Sequence, residues 1–413
     1  MARTITCATK LALLAALLTS GPAFAQTEDA PWWPQFHGPK RDNMSTETGL
    51  LKQWPEGGPK VIWKFSGCGD GYSMVSIADG RIFTAGDFDD DEKIIALDLD
   101  GKPLWTANNG ASWNGPYPGA RTMPTYDDGL LYHMNPTGKL TALKAATGEL
   151  VWSVDLKAEF GARYGMWAMA ENVVVDGDRV FCIPGGSKAL VAALDKRTGK
   201  TVWTSKGLGT TSAYCSPLAV QRGSRRLIVT VTSSAIVGLD AKTGATLWQR
   251  PYRNRYAVHA NTPIHHDGII YVTSGYKLGG VALKLSDDGS KITELWTDKK
   301  LDAQHGGVVL LDGHLYGAGE KTWICLELKS GNVVHEAKGV GKGSVTYADG
   351  MLYCYSERGT LGLVKASPKA HEMVSSFKVT KGVGKHWAHP VVAAGRLFIR
   401  HGDVLMAFDV KAK

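Results

Sequence analysis

The chain lacks the cysteine patterns that carry chemistry. It has no CxxC, no adjacent pair and no cysteines at zinc-ligand spacing. Beyond Cys7 the thiols are scattered as Cys68, Cys182, Cys215, Cys325 and Cys354. An odd, dispersed set reads as small buried strand residues rather than as a disulfide framework. There is no GxGxxG after a strand, no P-loop, no HExxH and no GxSxG, so the common enzyme classes built on those motifs have no support. No block of like charge and no basic helix occurs. The net charge of +8 is spread along the chain, which does not indicate nucleic-acid binding. Long Pro, Ser or Gln tracts are missing too. Past the first residues, nothing is apolar for the roughly 20 positions that a membrane-spanning helix needs.

The first 25 residues read as an export signal. Arg3 and Lys10 give the positive start, 11–18 (LALLAALL) the short apolar core, and Ala23-Phe24-Ala25 the small-x-small cleavage pattern. A periplasmic or secreted protein cut after Ala25 is expected. No cysteine follows the apolar core, which argues against a lipid anchor.

What is present is glycine, 49 residues of it, in a chain of 413, and a repeat. An apolar strand ends in a turn, usually Asp-Gly. A second apolar strand follows, then a third reading roughly A-L-D, then T-G-K, then a fourth with Trp. Five copies are clear and end at Trp105, Trp152, Trp203, Trp248 and Trp296, about 48 residues apart. Three more, near VVLLDGHLYGAG, SVTYADGMLYCYS and HPVVAAGRLFIRHG, are degenerate. Asp-Gly between apolar runs is a strong hairpin signal, and the period suits a four-stranded propeller blade. The last copy has no Trp strand, while an orphan strand with Trp63 (VIWKF) precedes the first. Pairing the two completes an eighth blade and removes the open edges. The expected fold is therefore all-β: an eight-bladed β-propeller of four-stranded antiparallel blades over 61–413, closed by the strand around Trp63. Residues 26–60, rich in Pro and Gly, are expected to pack irregularly over the ring's side.

The A-L-D-x-x-T-G-x-x-x-W pattern resembles the tryptophan-docking motif of pyrroloquinoline quinone (PQQ) repeat proteins. Two branches share that fold: quinoprotein alcohol dehydrogenases, and BamB-like proteins of outer-membrane assembly that use no cofactor. The chain also resembles short secreted PQQ-like repeat proteins with a WPQF-x-GP opening and segments such as Ser274-Gly275-Tyr276, His305-Gly306-Gly307 and Gly341-Lys342-Gly343-Ser344.

In such a blade the loops joining successive blades share a face with the loops between strands two and three, and the tight Asp-Gly turns take the other face. The unusual side chains fall in the first set. Arg121, Arg163, Tyr164, Trp167, Tyr214, His259, Asn261, His305, Lys342, Trp387 and His389 are the candidate ligand residues; Tyr72, Trp113 and Tyr117 accompany them. Aromatic bodies with a few cations suit a flat or anionic ligand. His259, His305 and His389 read as structural histidines rather than metal ligands, and 87–92 (DFDDDE) as a solvated hairpin tip rather than a calcium loop.

Two functional readings stay open. A non-catalytic, BamB-like binding propeller, monomeric, would hold a protein or small molecule at the ring face and needs no cofactor. For a minimal alcohol dehydrogenase, the resemblance implies PQQ with calcium and a carboxylate base. The enzyme reading lacks the vicinal cysteines of the larger dehydrogenases, and neither its base nor its metal ligands can be placed.

Overall fold

The computed structural model describes residue 1 and residues 31–413. The expected export signal at 1–25 lies outside the described residues, apart from residue 1. Among the described residues thirty-two strands form eight four-stranded antiparallel sheets. Blades one to seven take residues 76–111, 125–155, 174–204, 218–251, 264–297, 308–337 and 343–378, and blade eight joins 391–409 to 61–66. Among the described residues one five-residue helix, Leu156–Phe160, accompanies them. Among the described residues no helix is long and apolar enough to cross a membrane.

Each blade follows one plan. The inner strands are buried along most of their length, and the outermost alternates with solvent, as in Leu150–Asp155. The core is divided among blade interfaces rather than gathered at one centre. Leu140 and Ala142 of blade two pack with Val180 and Leu194 of blade three; Val229 and Val231 of blade four pack with Ile270 and Val272 of blade five. The five cysteines among the described residues are free and buried, as the scattered spacing suggested.

The tryptophans join neighbours. Trp105 of blade one lies over Gly148 in blade two, and its Nε1 donates to the Ala145 carbonyl at 3.2 Å. Trp152, Trp203 and Trp296 repeat the contact with the carbonyls of Lys196, Ala241 and Leu328 at 3.0–3.1 Å, and Trp248 donates to Gly289. Gly148 sits at φ 74°, and a Cβ there would meet the Trp105 ring at 2.5 Å. The repeated T-G pair thus serves the turn and the docking together. Opposite each of these tryptophans the third strand carries Ala or Gly, for example Ala96, Ala142 and Gly238, because the indole fills that space. In the degenerate blades six and seven, His335 and Ser375 take the tryptophan position, and the facing residues grow to Cys325 and Leu363.

The ring closes as expected. Val61–Ser66 pairs antiparallel with Val404–Asp409, Trp63 facing Ala407, and Trp63 Nε1 donates to Leu99 of blade one at 3.0 Å.

The segment before it corrects the expectation of a purely lateral packing. Residues 33–45 cross the ring's axis. Trp33 bridges to Ile77 of blade one, and the Pro34 carbonyl accepts from Tyr126 of blade two. Arg41 donates to Val173, at the start of blade three, at 3.1 Å. Asn43 and Ser45 pair with Tyr347 of blade seven. All these partners lie on or beside innermost strands. Eight blades leave a channel at the axis, and fully buried Trp33 with His37 and Asn43 fills it. A Cβ on Gly307 (φ 74°) would meet Asn43 at 2.4 Å. Residues beyond the plug run along the side: Leu51 pairs with Val410, and buried Trp54 packs at a tilt on Tyr353 and edge-on against Phe377 at the junction of blades seven and eight.

Candidate functional site

The loops that join blades converge above the plug on a cavity of about 250 Å³. Every such loop contributes to its lining except the one leading into blade seven; Tyr276, from a loop within blade five, joins them. Phe36 of the plug is part of the lining, with His389 beside it at 5.7 Å between ring centroids.

The walls are two groups of aromatic rings. Trp387 is the hub of the first, 4.9 Å from Tyr72, 4.9 Å from Tyr117 and 5.3 Å from His305. In the second, Trp167 meets Tyr214 at 6.1 Å and Tyr256 at 6.3 Å, and Tyr256 meets Tyr276 at 4.6 Å. Arg121 supplies the charge. Its Nη2 donates to the carbonyls of Pro116 and Tyr117 at 3.0 and 2.6 Å, and its guanidinium lies 6.0 Å from the rings of Tyr72 and Trp113. Among the described residues no carboxylate lines the cavity. Burial lowers the Arg121 pKa, with the nearby Tyr72 partly offsetting it, and burial pushes the Tyr214 phenol up to about 12. Tyr72 and Tyr276 are raised by the same cause. The phenols therefore stay protonated and serve as O–H donors. A second cation placed about 5 Å from Arg121 would be repelled by about 3 kcal/mol at an effective dielectric near 20. That exceeds the ~0.5–2 kcal/mol an aromatic face returns, so these rings do not make a cation cage.

Buried polar groups behind the wall hold the loops in place. Arg400, 2% exposed, donates to the carbonyls of Cys68, Gly69 and Ser73, fixing the loop that carries Tyr72. Asp87 accepts from Trp113 N at 2.8 Å and so anchors the Arg121 loop. Glu171, buried and raised in pKa by that burial, accepts from Tyr214 N at 2.7 Å and Ala170 N at 3.0 Å. Repeat spacing gave no signal for these three roles, because each depends on which way a side chain turns.

Of the predicted ligand residues, Arg121, Trp167, Tyr214, His305, Trp387 and His389 line the cavity. The other five do not. His259 is fully buried with Nδ1 3.0 Å from Ser274 Oγ. Asn261 ties two loops, donating to Ala303 at 2.6 Å and accepting from Gly307 at 3.0 Å. Lys342 pairs with Glu320 at 3.2 Å and Glu357 at 3.6 Å. Arg163 is exposed, and Tyr164 meets Trp113 edge-on at 6.3 Å. The three histidines do not gather on a metal: among the described residues no cluster of three or more His, Cys, Asp or Glu side chains is placed to hold one. His389 instead has Nε2 2.9 Å from the His305 carbonyl, and burial takes its pKa down to about 3.

Sequence reasoning missed Glu357, which lies 2.9 Å from His305 Nε2. Burial acts to raise its pKa, but His305 and Lys342 outweigh that and leave it below the usual range. It also missed Phe36, which belongs to no repeat; the WPQF opening was its sole trace. The 87–92 hairpin differs from a fully solvated tip as well. Glu92 is buried at its base, 2.9 Å from buried His133, and Asp87 is 8% exposed.

Known proteins resemble this chain at two levels. It is 28% identical over 146 residues to the quinoprotein ethanol dehydrogenase of Pseudomonas aeruginosa, covering 32% of this chain and 23% of that one. It is 26% identical over 189 residues to the outer membrane protein assembly factor BamB of Kangiella koreensis, covering 45% and 44%. The chain thus spans less than half the length of either relative. In fold, the crystal structure of BamB from Moraxella catarrhalis superposes with a TM-score of 0.62 at 18% identity, over 86% of this chain and 98% of that one.

The quinoprotein likeness implies PQQ and calcium, and the cavity's donors do not fit them. Calcium takes six to eight oxygen ligands, carboxylates foremost, and the lining has no carboxylate among the described residues. Glu171, the acid next to it in sequence, already spends both oxygens on backbone N–H groups. The Asn172 side chain is committed to Met123 N and Ser216. Among the described residues Arg121 is the one Arg or Lys in the lining, against a quinone that bears several carboxylates. The family model described as outer membrane protein assembly factor BamB matches residues 90–337, well over half the chain, and the protein belongs to that family of PQQ-repeat propellers.

Proposed function

We propose that the protein is an exported, non-catalytic binding propeller, periplasmic or secreted, which holds a small ligand or a protein segment in the ring-face cavity. The observation that carries this reading is the lining itself: aromatic rings, hydroxyls and one guanidinium, with no carboxylate to act as base toward an alcohol or to ligate calcium. The BamB relatives support a role among outer-membrane assembly factors. The protein's part in that role would be recognition by a rigid ring rather than chemistry.

The quinoprotein relatives favour the opposite reading, an alcohol dehydrogenase of minimal size. Titration of the purified protein with PQQ and calcium, followed by dye reduction with simple alcohols, separates the two. The binding reading predicts neither calcium-dependent PQQ binding nor turnover. Saturable, calcium-dependent binding with dye reduction would overturn it.

A further inference from the structure

We infer that the ring-face cavity selects planar aryl carboxylates and binds them without a metal ion, an inference that rests on the binding reading above. Three independent features carry it. First, Arg121 is half-buried in the wall, and its hydrogen bonds among the described residues go to two neutral carbonyls. A desolvated cation without an anionic partner is costly, and a ligand anion removes that cost. Second, the hydroxyls around the space can all donate. Ser216 Oγ already accepts from Asn172 and keeps its own proton free, Tyr276 accepts from Gln304, and the Tyr72 and Tyr214 phenols remain protonated. With no lining carboxylate, the polar groups call for an acceptor-rich ligand. Third, aromatic rings in two groups around Trp387 and Trp167 make up much of the remaining lining, with Met74, Val258 and Ala260 adding apolar surface, which suits packing on a planar ring.

The volume of about 250 Å³ admits a one- or two-ring ligand. A single guanidinium matches a single carboxylate, which Arg holds through two parallel bonds. Exposed Arg163, Arg253, Arg255, Lys381 and Lys385 lie on the same set of loops and outnumber exposed Asp70 and Glu159 there, a positive balance that favours the approach of anions.

Isothermal titration of the intact protein with three isosteric probes tests this: 2-naphthoate, 2-naphthamide and 2-naphthylmethylammonium. The carboxylate is expected to bind about tenfold or more tightly than the amide, and the ammonium to give no measurable heat. Arg121→Gln should bind the carboxylate and the amide with equal affinity, so that the preference is lost, and a near-UV circular dichroism spectrum matching the parent protein shows that the cavity is still formed. Arg121→Lys should keep part of the preference. An amide that binds as tightly as the carboxylate, or an ammonium that binds best, overturns the anion selectivity and leaves the binding reading standing. No binding of any probe at millimolar concentration overturns the inference. If PQQ with calcium then gives turnover, the binding reading falls as well.

Discussion

At the scale of single residues, the cavity wall is made by one set of side chains and positioned by another. Trp387, Tyr214 and Arg121 face the cavity; Arg400, Asp87 and Glu171 stand behind them and spend their polar atoms on loop backbone. Asp87 is the most informative of the second set. Burial pushes its carboxyl up to about 7, the bond from Trp113 N opposing and the charge of Glu92 adding to the rise. The fold therefore prefers Asp87 protonated. Its contribution to stability is fully present below the unfolded pKa near 4 and is lost as the pH climbs toward 7. Asp87→Asn keeps an acceptor for Trp113 and removes the charge. Relative to the parent protein, this variant should gain about 2–4 kcal/mol more at pH 8 than at pH 4. Urea midpoints at the two pH values measure that difference, and a gain that does not change with pH would mean Asp87 is ordinarily ionised in the folded protein.

At the scale of elements, the blade junction is the stabilising unit. Each tryptophan binds its own blade to the glycine turn of the next, and where the repeat loses it something else fills the junction. His335 keeps the contact to the following turn, with Nε2 3.3 Å from the Ser367 carbonyl. At Ser375 the substitute comes from outside the repeat. Trp54 N donates to Ser375 Oγ at 3.0 Å, and the Trp54 ring packs on Phe377. Trp54→Ala should thus cost about as much as Trp152→Ala, roughly 3–5 kcal/mol each, in chemical denaturation. A negligible cost at Trp54 would mean that the segment only covers a junction complete without it. The elements were legible in the sequence because turn glycines and tryptophans recur at one period. The plug was not, since residues 33–45 repeat nothing and their burial depends on a channel that exists only once eight blades have closed.

At the scale of the whole molecule, closure decides what the protein can present. Pairing Val61–Ser66 with Val404–Asp409 brings eight sets of loops around one axis, and the plug turns the open channel into a cavity with a floor. The ring and the loops of the site could be read from the repeat. The directions of individual side chains could not: His259 and Asn261 lie in a ring-face loop yet turn into the structure, to Ser274 and to the neighbouring loop. Glu357 was passed over because the loop it sits on is short, though it partners His305. On the proposed binding reading, this ring, built like a quinoprotein, uses its axial cavity for a ligand and not for a metal-bound quinone. The most direct measurement is calorimetric titration of the intact protein with 2-naphthoate, once in EDTA and once in excess calcium. Equal affinity in both buffers, lost in Trp387→Ala, is the predicted result. Binding that appears only with calcium would contradict the metal-free reading of the cavity.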